Sequence, residues 1–173
     1  MVSDVMLAIE LACRSRPDIR LLSVEDLNLA KRRDPFQWRV DIERGQKIGV
    51  IPDRVFGLER DGQQFWYCLE ADRGTMPITR GTLDQTSFTR KLLAYEATWS
   101  QNLHRAQFGW QRFRVLTVTT TRQRVQGIKE ACQGLKRGQG LFLFLDATEL
   151  SKRGNILTIH WETSHPEKTE TLT

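Results

Sequence analysis

Residues 51–74, IPDRVFGLERDGQQFWYCLEADRG, constrain the fold more than any other stretch of this sequence. Two apolar runs flank an Asp-Gly dipeptide, which favours the tight turn of a β-hairpin. The stretch is therefore predicted to form two paired strands. Asp53 stands at the start of the first strand, and Glu70 and Asp72 end the second. Carboxylates are thus expected at one end of the hairpin.

These carboxylates form a candidate metal site. Alternate residues of a strand point to the same face, so Glu70 and Asp72 are expected on one face. If Asp53 shares that face, three carboxylates converge, and their repulsion and desolvation favour a cation among them. Carboxylate oxygens suit a hard divalent ion such as Mg²⁺ or Mn²⁺. The alternative is that the acids are exposed and pair with Arg54 and Arg73.

Residues 86–109, TSFTRKLLAYEATWSQNLHRAQFG, are predicted to form one helix that Gly109 ends. Its apolar stripe consists of Phe88, Leu92, Tyr95, Trp99 and Leu103. Lys91 and Tyr95 are four residues apart and lie on the same side of the helix. Lys91 flanks the stripe, so its amine is predicted to reach the acids; the alternative is that it extends into solvent.

The remaining patterns predict a single mixed α/β domain over residues 1–163, followed by a disordered polar tail over 164–173. The predicted order is helix, three strands, helix, strand, and then further elements at the C-terminal end. The segments are a helix over 2–14, strands near 19–24, 38–42 and 113–121, a helix over 122–135, and strands within 140–150 and 155–164.

The charge and the cysteine content limit the classes of protein to which this chain can belong. The formal net charge is +5, which favours anionic partners. Three widely spaced cysteines, Cys13, Cys68 and Cys132, indicate reduced core residues of a cytoplasmic protein. The apolar runs are too short for a membrane span, so no membrane partner is expected.

The helix–three strands–helix–strand order, with Pro52-Asp53 and Glu70, resembles the PD-(D/E)XK nuclease fold. This is a restriction-endonuclease-like αβββαβ core with a mixed central sheet, here with extra C-terminal strands. The run Glu-x-Asp-Arg-Gly-Thr, followed by an Arg-Lys-x-x-x-Tyr helix, is similar to the replication-relaxation family of bacterial plasmids and integrative elements. The similarity covers about residues 2–160. Members of that family carry an N-terminal winged-helix region, which we expect this chain to lack.

The resemblance implies roles for particular residues. The implied metal ligands are Asp53, Glu70, the backbone carbonyl of Ala71, Glu10 and Asp72. The usual motif has a lysine two positions after the glutamate, where this chain has Asp72. Lys91 on the next helix would substitute for that lysine, with Tyr95 beside it. The implied catalytic set is Asp53, Glu70, Asp72, Lys91 and Tyr95.

The implied function is that of a bacterial cytoplasmic protein that binds and processes DNA in the replication or transfer of a plasmid or integrative mobile element. Its hypothetical activity is Mg²⁺- or Mn²⁺-dependent endonucleolytic hydrolysis of phosphodiesters. A plasmid replication protein or relaxase is a further expected partner. The candidate DNA contacts are Arg54, Arg73, Arg90, Arg122 and Arg124. The alternative is a catalytically inactive nuclease-fold module that binds DNA or a replication or relaxase protein.

Overall fold

The structure is a computed structural model that describes residues 1–22, 36–42, 45–81, 85–152 and 154–173. The helices are α1 (Val2–Arg14), α2 (Phe88–Ser100), α3 (Leu103–Phe108), α4 (Arg122–Gln133) and α5 (Ala147–Lys152). The strands are β1 (Ile19–Leu22), β2 (Trp38–Asp41), β3 (Lys47–Val50), β4 (Arg54–Arg60), β5 (Gln63–Asp72), β6 (Phe113–Thr119), β7 (Phe142–Asp146), β8 (Trp161–Glu162) and β9 (Thr169–Glu170).

The hairpin predicted from the Asp-Gly dipeptide is confirmed. Strands β4 and β5 pair antiparallel, with Arg54 opposite Leu69 and Arg60 opposite Gln63. The turn residues Asp61 and Gly62 both have positive φ, 52° and 73°. This left-handed conformation is what a two-residue hairpin turn requires, and Asp and Gly tolerate it best.

The hairpin lies within a mixed seven-stranded sheet of order β1-β4-β5-β6-β7-β8-β9. The pairs β5–β6 and β6–β7 are parallel, and the other neighbouring pairs are antiparallel. The prediction of an α/β protein with a mixed central sheet is therefore confirmed.

Each face of the sheet has its own apolar core. Trp66 and Cys68 of β5 belong to the core that also contains residues of α2, α4 and strands β2 and β3, and we call this side the α2 face. Tyr67 and Leu69 belong to the core on the opposite side, under α1 and residues 156–159, which we call the α1 face. Because side chains alternate along a strand, Glu70 follows Trp66 and Cys68 onto the α2 face.

Strands β2 and β3 form a separate two-stranded sheet that packs on α2. The strand predicted near 38–42 is β2, whereas β3 was not predicted. The indole N–H of Trp38 donates to Thr98 Oγ1 on α2 at 2.8 Å, and both residues are buried. This contact holds the hairpin over the helix that carries Lys91.

The prediction of one helix over 86–109 is wrong. Helix α2 ends at Ser100, Asn102 has a left-handed φ of 55°, and α3 follows before Gly109 ends it at φ 72°. Asparagine adopts this conformation more readily than other non-glycine residues, and its side chain disfavours helix interiors. Trp99, in the last turn of α2, is 40% exposed and does not join the buried part of the predicted stripe.

The C-terminal predictions need correction. Within the predicted strand at 155–164, only Trp161–Glu162 is a strand; Asn155 accepts a hydrogen bond from Leu157 N at 3.0 Å and starts a turn. The tail from 164 is ordered rather than disordered, because β9 pairs with β8 and Leu172 is buried in the α1 face. A single apolar residue in a polar segment gave no periodic signal.

All three cysteines are buried free thiols, as their apolar sequence contexts predicted. Within the described ranges, no helix combines the length and the apolar character that crossing a membrane requires.

Candidate active site at the end of the β4–β5 hairpin

Glu70 is the centre of the candidate site. It lies near the end of β5 on the α2 face and is only 2% exposed. Asp53 immediately precedes β4, whose first residue Arg54 pairs with Leu69, and Asp53 N donates to Leu69 O at 3.0 Å beside Glu70. On the other side, Glu70 pairs with Thr117 of β6. A carboxylate buried this deeply requires hydrogen-bond donors or a cation, because burial of an uncompensated charge is unfavourable.

Helix α2 supplies those donors. Lys91 Nζ donates to Glu70 Oε2, and Tyr95 OH donates to Glu70 Oε1 at 2.5 Å. The two donors lie one turn apart on the same side of the helix, as their spacing predicted. Ser87 is the N-cap residue of the helix, since its side chain accepts a hydrogen bond from Arg90 N at 3.3 Å. The predicted approach of Lys91 to the acids is confirmed.

The pKa shifts in this network show which group donates and which accepts. Burial raises the pKa of Glu70, and the nearby Asp53 carboxylate adds to this effect, whereas Lys91 and Tyr95 oppose it. Burial, together with the charge of Glu70, raises the pKa of Tyr95 well above its usual range. Tyr95 therefore remains a protonated donor, and Glu70 is the acceptor.

Asp53 is exposed and fixed by one backbone contact. Its Oδ2 accepts a hydrogen bond from Ala71 N at 2.7 Å, which holds the carboxylate over the end of β5. Within the described part of the chain, no hydrogen bond to Oδ1 is present. Asp53 thus offers an oxygen to a ligand beside Glu70.

Asp72 does not complete a three-acid cluster. Arg124 Nε donates to its Oδ2 at 2.7 Å and Arg124 Nη2 to its Oδ1 at 3.2 Å, and Thr119 Oγ1 donates to Oδ2 at 3.0 Å. Among the described residues, no group of three or more His, Cys, Asp or Glu side chains is arranged to hold a metal ion. The expected convergence reduces to the pair Asp53 and Glu70.

Glu10 lies away from this pair. It is on α1, which packs on the opposite face of the sheet, and it pairs with Arg14 at 2.6 Å on the surface. The resemblance also implies the backbone carbonyl of Ala71 as a ligand. Ala71 lies between Glu70 and Asp72 on β5, and its N–H donates to Asp53.

The five candidate DNA-binding arginines fall into two groups. Arg54 and Arg73 are exposed and adjoin Asp53 and Asp72 in the chain, and Arg90 lines the cavity beside Glu70. Arg122 and Arg124 instead form ion pairs, with Glu162 and Asp72 respectively. Glu70 and Asp72 are therefore paired with Lys91 and Arg124, not with Arg54 and Arg73.

A cavity of about 240 Å³ opens beside the network. Glu70, Lys91 and Tyr95 line it together with Ser87 of the helix start. Its other wall is formed by Ile48, Gly49, Val50 and Ile51. This wall was not predicted, because four residues of the kind Ile-Gly-Val-Ile give little periodicity. Ser87 was not predicted either, although a serine before Phe88 is a helix-start signal.

Fold and site together define an α/β protein with a mixed seven-stranded sheet and a buried glutamate–lysine–tyrosine network beside an exposed aspartate. Comparisons with family models, with curated proteins and with solved structures found no match to this chain. The likeness to the replication-relaxation family thus rests on the sequence motifs described above.

Proposed function

We propose that this chain is a nuclease-like, DNA-processing protein whose site consists of Asp53, Glu70 and Lys91. The observation that carries the proposal is the contact of the Lys91 amine with Glu70, next to the exposed carboxylate of Asp53. The resemblance to the PD-(D/E)XK fold implies two acids and a lysine in these positions, and a metal ion held by such acids assists phosphodiester hydrolysis. Here the lysine comes from α2 rather than from the position of Asp72.

The order of elements supports a restriction-endonuclease-like core. Helix α1, strands β1, β4 and β5, helix α2 and strand β6 follow the αβββαβ order if the β2–β3 hairpin is an insertion. Strands β7, β8 and β9 then correspond to the proposed C-terminal additions.

The residues present fit a divalent ion in part. Among the described residues, one oxygen of Asp53 has no protein donor, and this exposed carboxylate lies close enough to Glu70 to add to the rise in its pKa that burial causes. Asp53, Glu70 and the Ala71 carbonyl are the groups that would hold Mg²⁺ or Mn²⁺. When bound, such an ion stabilises charge on a phosphoryl group and lowers the pKa of a water molecule.

The residues of the chain have distinct tasks in this proposal. Tyr95 and Lys91 orient Glu70, and Ala71 N–H orients Asp53. Lys91 also faces the cavity, where its positive charge would stabilise negative charge on a phosphate. Arg90, which lines the same cavity, would contact the adjacent DNA backbone.

The biological setting follows from the sequence motifs alone. We propose a role in the replication or transfer of a plasmid or integrative mobile element, with DNA as the partner and a replication protein or relaxase as a second one.

A second function, an inactive nuclease-fold module that binds DNA or a partner protein, is favoured by one observation. Protein donors already occupy both oxygens of Glu70 and both oxygens of Asp72. In such a module these ion pairs would stabilise the fold instead of taking part in a reaction.

Calorimetric titration with Mn²⁺ separates the two functions. The nuclease proposal expects micromolar binding that Asp53→Asn and Glu70→Gln abolish and that Glu10→Gln leaves unchanged, since Glu10 lies on the opposite face. Hydrolysis of single-stranded, nicked and supercoiled DNA would then depend on Asp53 and Lys91. No binding by the folded wild type would overturn the metal site and favour the inactive module.

A further inference from the structure

A second cavity, of about 570 Å³, lies at the far end of α2 from Lys91. The α2–α3 junction, the start of β6, the loop before β7 and strand β9 surround it. We call it the Trp99 groove. Its cationic lining residues are Arg105, Arg112, Arg114, Arg137 and Lys168.

The Trp99 groove concentrates positive charge. Five of its lining residues are cationic, and one lining residue, Glu170, is a carboxylate. The positive surplus of the groove is therefore close to the formal net charge of the whole chain, which is +5. The cavity beside Asp146 and Glu162, by contrast, mixes acids with Arg122 and Lys129. A concave surface of one sign concentrates ligands of the opposite sign. The ligand of the groove is therefore expected to be anionic.

Two guanidinium groups are available to such a ligand. Arg114 donates to Gly140 O and to Glu170, and Arg137 lies 3.9 Å from Glu96. Arg105 and Arg112 are exposed, and in the part of the chain that the structure describes neither side chain makes a hydrogen bond or an ion pair. The planar guanidinium fork matches the oxygens of a phosphate, which points to a phosphate ligand.

An exposed aromatic ring accompanies these cations. Trp99 is 40% exposed, although a tryptophan is ordinarily a core residue. Its ring lies against Gly138, where a Cβ atom would be 3.7 Å from the ring. A partly exposed indole ring beside cationic side chains is the combination on which unpaired bases stack.

We propose that the Trp99 groove binds single-stranded nucleic acid, with a base stacked on Trp99 and phosphates on Arg105 and Arg112. Base faces are open only in an unpaired strand, so the ring favours single strands over a duplex. This site is separate from the Glu70 network, and the proposal does not depend on the nuclease-like function.

Fluorescence anisotropy with a labelled oligothymidylate of about 12 nucleotides, within the usual site sizes, tests the proposal. EDTA is present throughout, so a failure of Mn²⁺ binding at Asp53 leaves the result intact. Trp99→Ala should weaken binding about tenfold or more, and Trp99→Phe should retain most of it. Arg105→Gln and Arg112→Gln should each weaken binding and reduce the salt slope by about 0.7.

Arg14→Gln is the matched control, because it removes the same charge from the opposite face of the sheet. An oligouridylate of equal length distinguishes RNA from DNA as the preferred strand. The proposal is overturned if Arg105→Gln and Arg112→Gln bind like Arg14→Gln, if Trp99→Ala has no effect, or if a duplex binds as tightly as the single strand. Equal competition by polyglutamate would instead identify a general polyanion surface. Thermal melting confirms that each variant is folded.

Discussion

Lys91 Nζ donates to Glu70 Oε2 across 21 residues of sequence, and the two side chains differ in depth. The Glu70 side chain is 3% exposed and that of Lys91 is 32% exposed. The pair therefore joins a carboxylate inside the sheet–helix interface to an amine at its rim. A change at Lys91 leaves a buried acid behind, whereas a change at Glu70 leaves an amine that can reach water.

Lys91→Met should consequently destabilise the protein by about 1–3 kcal/mol at neutral pH. This is less than the loss of a fully buried partner, because the rim is solvated and Glu70 can take up a proton. Urea unfolding measures the change. The double variant Lys91→Met/Glu70→Gln should recover part of the loss, and strictly additive effects would show that the two residues are not coupled.

Tyr95→Phe tests the second donor of Glu70. The phenol donates to a carboxylate at 2.5 Å, so its removal should cost about 1.5–3 kcal/mol. Tyr67→Phe is the control, since that buried phenol donates to the neutral carbonyl of Leu172 at 3.1 Å and should cost about 0.5–1.5 kcal/mol. Equal losses in urea unfolding would contradict a charged acceptor at position 70.

The pKa of Glu70 predicts a pH dependence of stability. Because burial raises this pKa above 4.5, folded Glu70 keeps its proton to a higher pH than unfolded Glu70. The stability of the wild type relative to Glu70→Gln should therefore be greatest below pH 4.5, fall as pH rises through the folded pKa, and then level off. Urea unfolding of both proteins in EDTA, from acid to neutral pH, measures this difference in stability. An advantage that increases with pH would mean that Lys91 outweighs burial.

Replacement of two arginines of α4 should cause very different losses of stability. Arg124 pairs with Asp72, and these side chains are 14% and 7% exposed, whereas Arg122 is 72% exposed beside Glu162. Arg124→Met should cost about 2–4 kcal/mol because it leaves Asp72 uncompensated. Arg122→Met should cost less than about 1 kcal/mol. Similar melting curves for both variants would contradict the buried pair.

Local chemistry explains which parts of the structure were predictable. The Asp61-Gly62 turn and the four-residue spacing of Lys91 and Tyr95 each follow from neighbouring residues, and both were predicted correctly. The partner of Asp72 was not, because Arg124 lies 52 residues away and reaches it only through the β5–β6 pairing and the start of α4. Helical spacing likewise continued past Asn102, whose backbone breaks the helix.

The β2–β3 hairpin forms its own sheet on α2. Its ladder shares no strand with the seven-stranded sheet, so among the described residues separation of the hairpin from α2 would break no strand pairing of the main sheet. Opening of the cavity wall is then a local event with a smaller free energy than global unfolding. Backbone amides of Ile48 and Val50 should exchange with solvent deuterium well before those of Cys68 and Leu116. Access to Glu70 would in this way depend on movement of the β2–β3 hairpin, while the acid and its two donors stay in place.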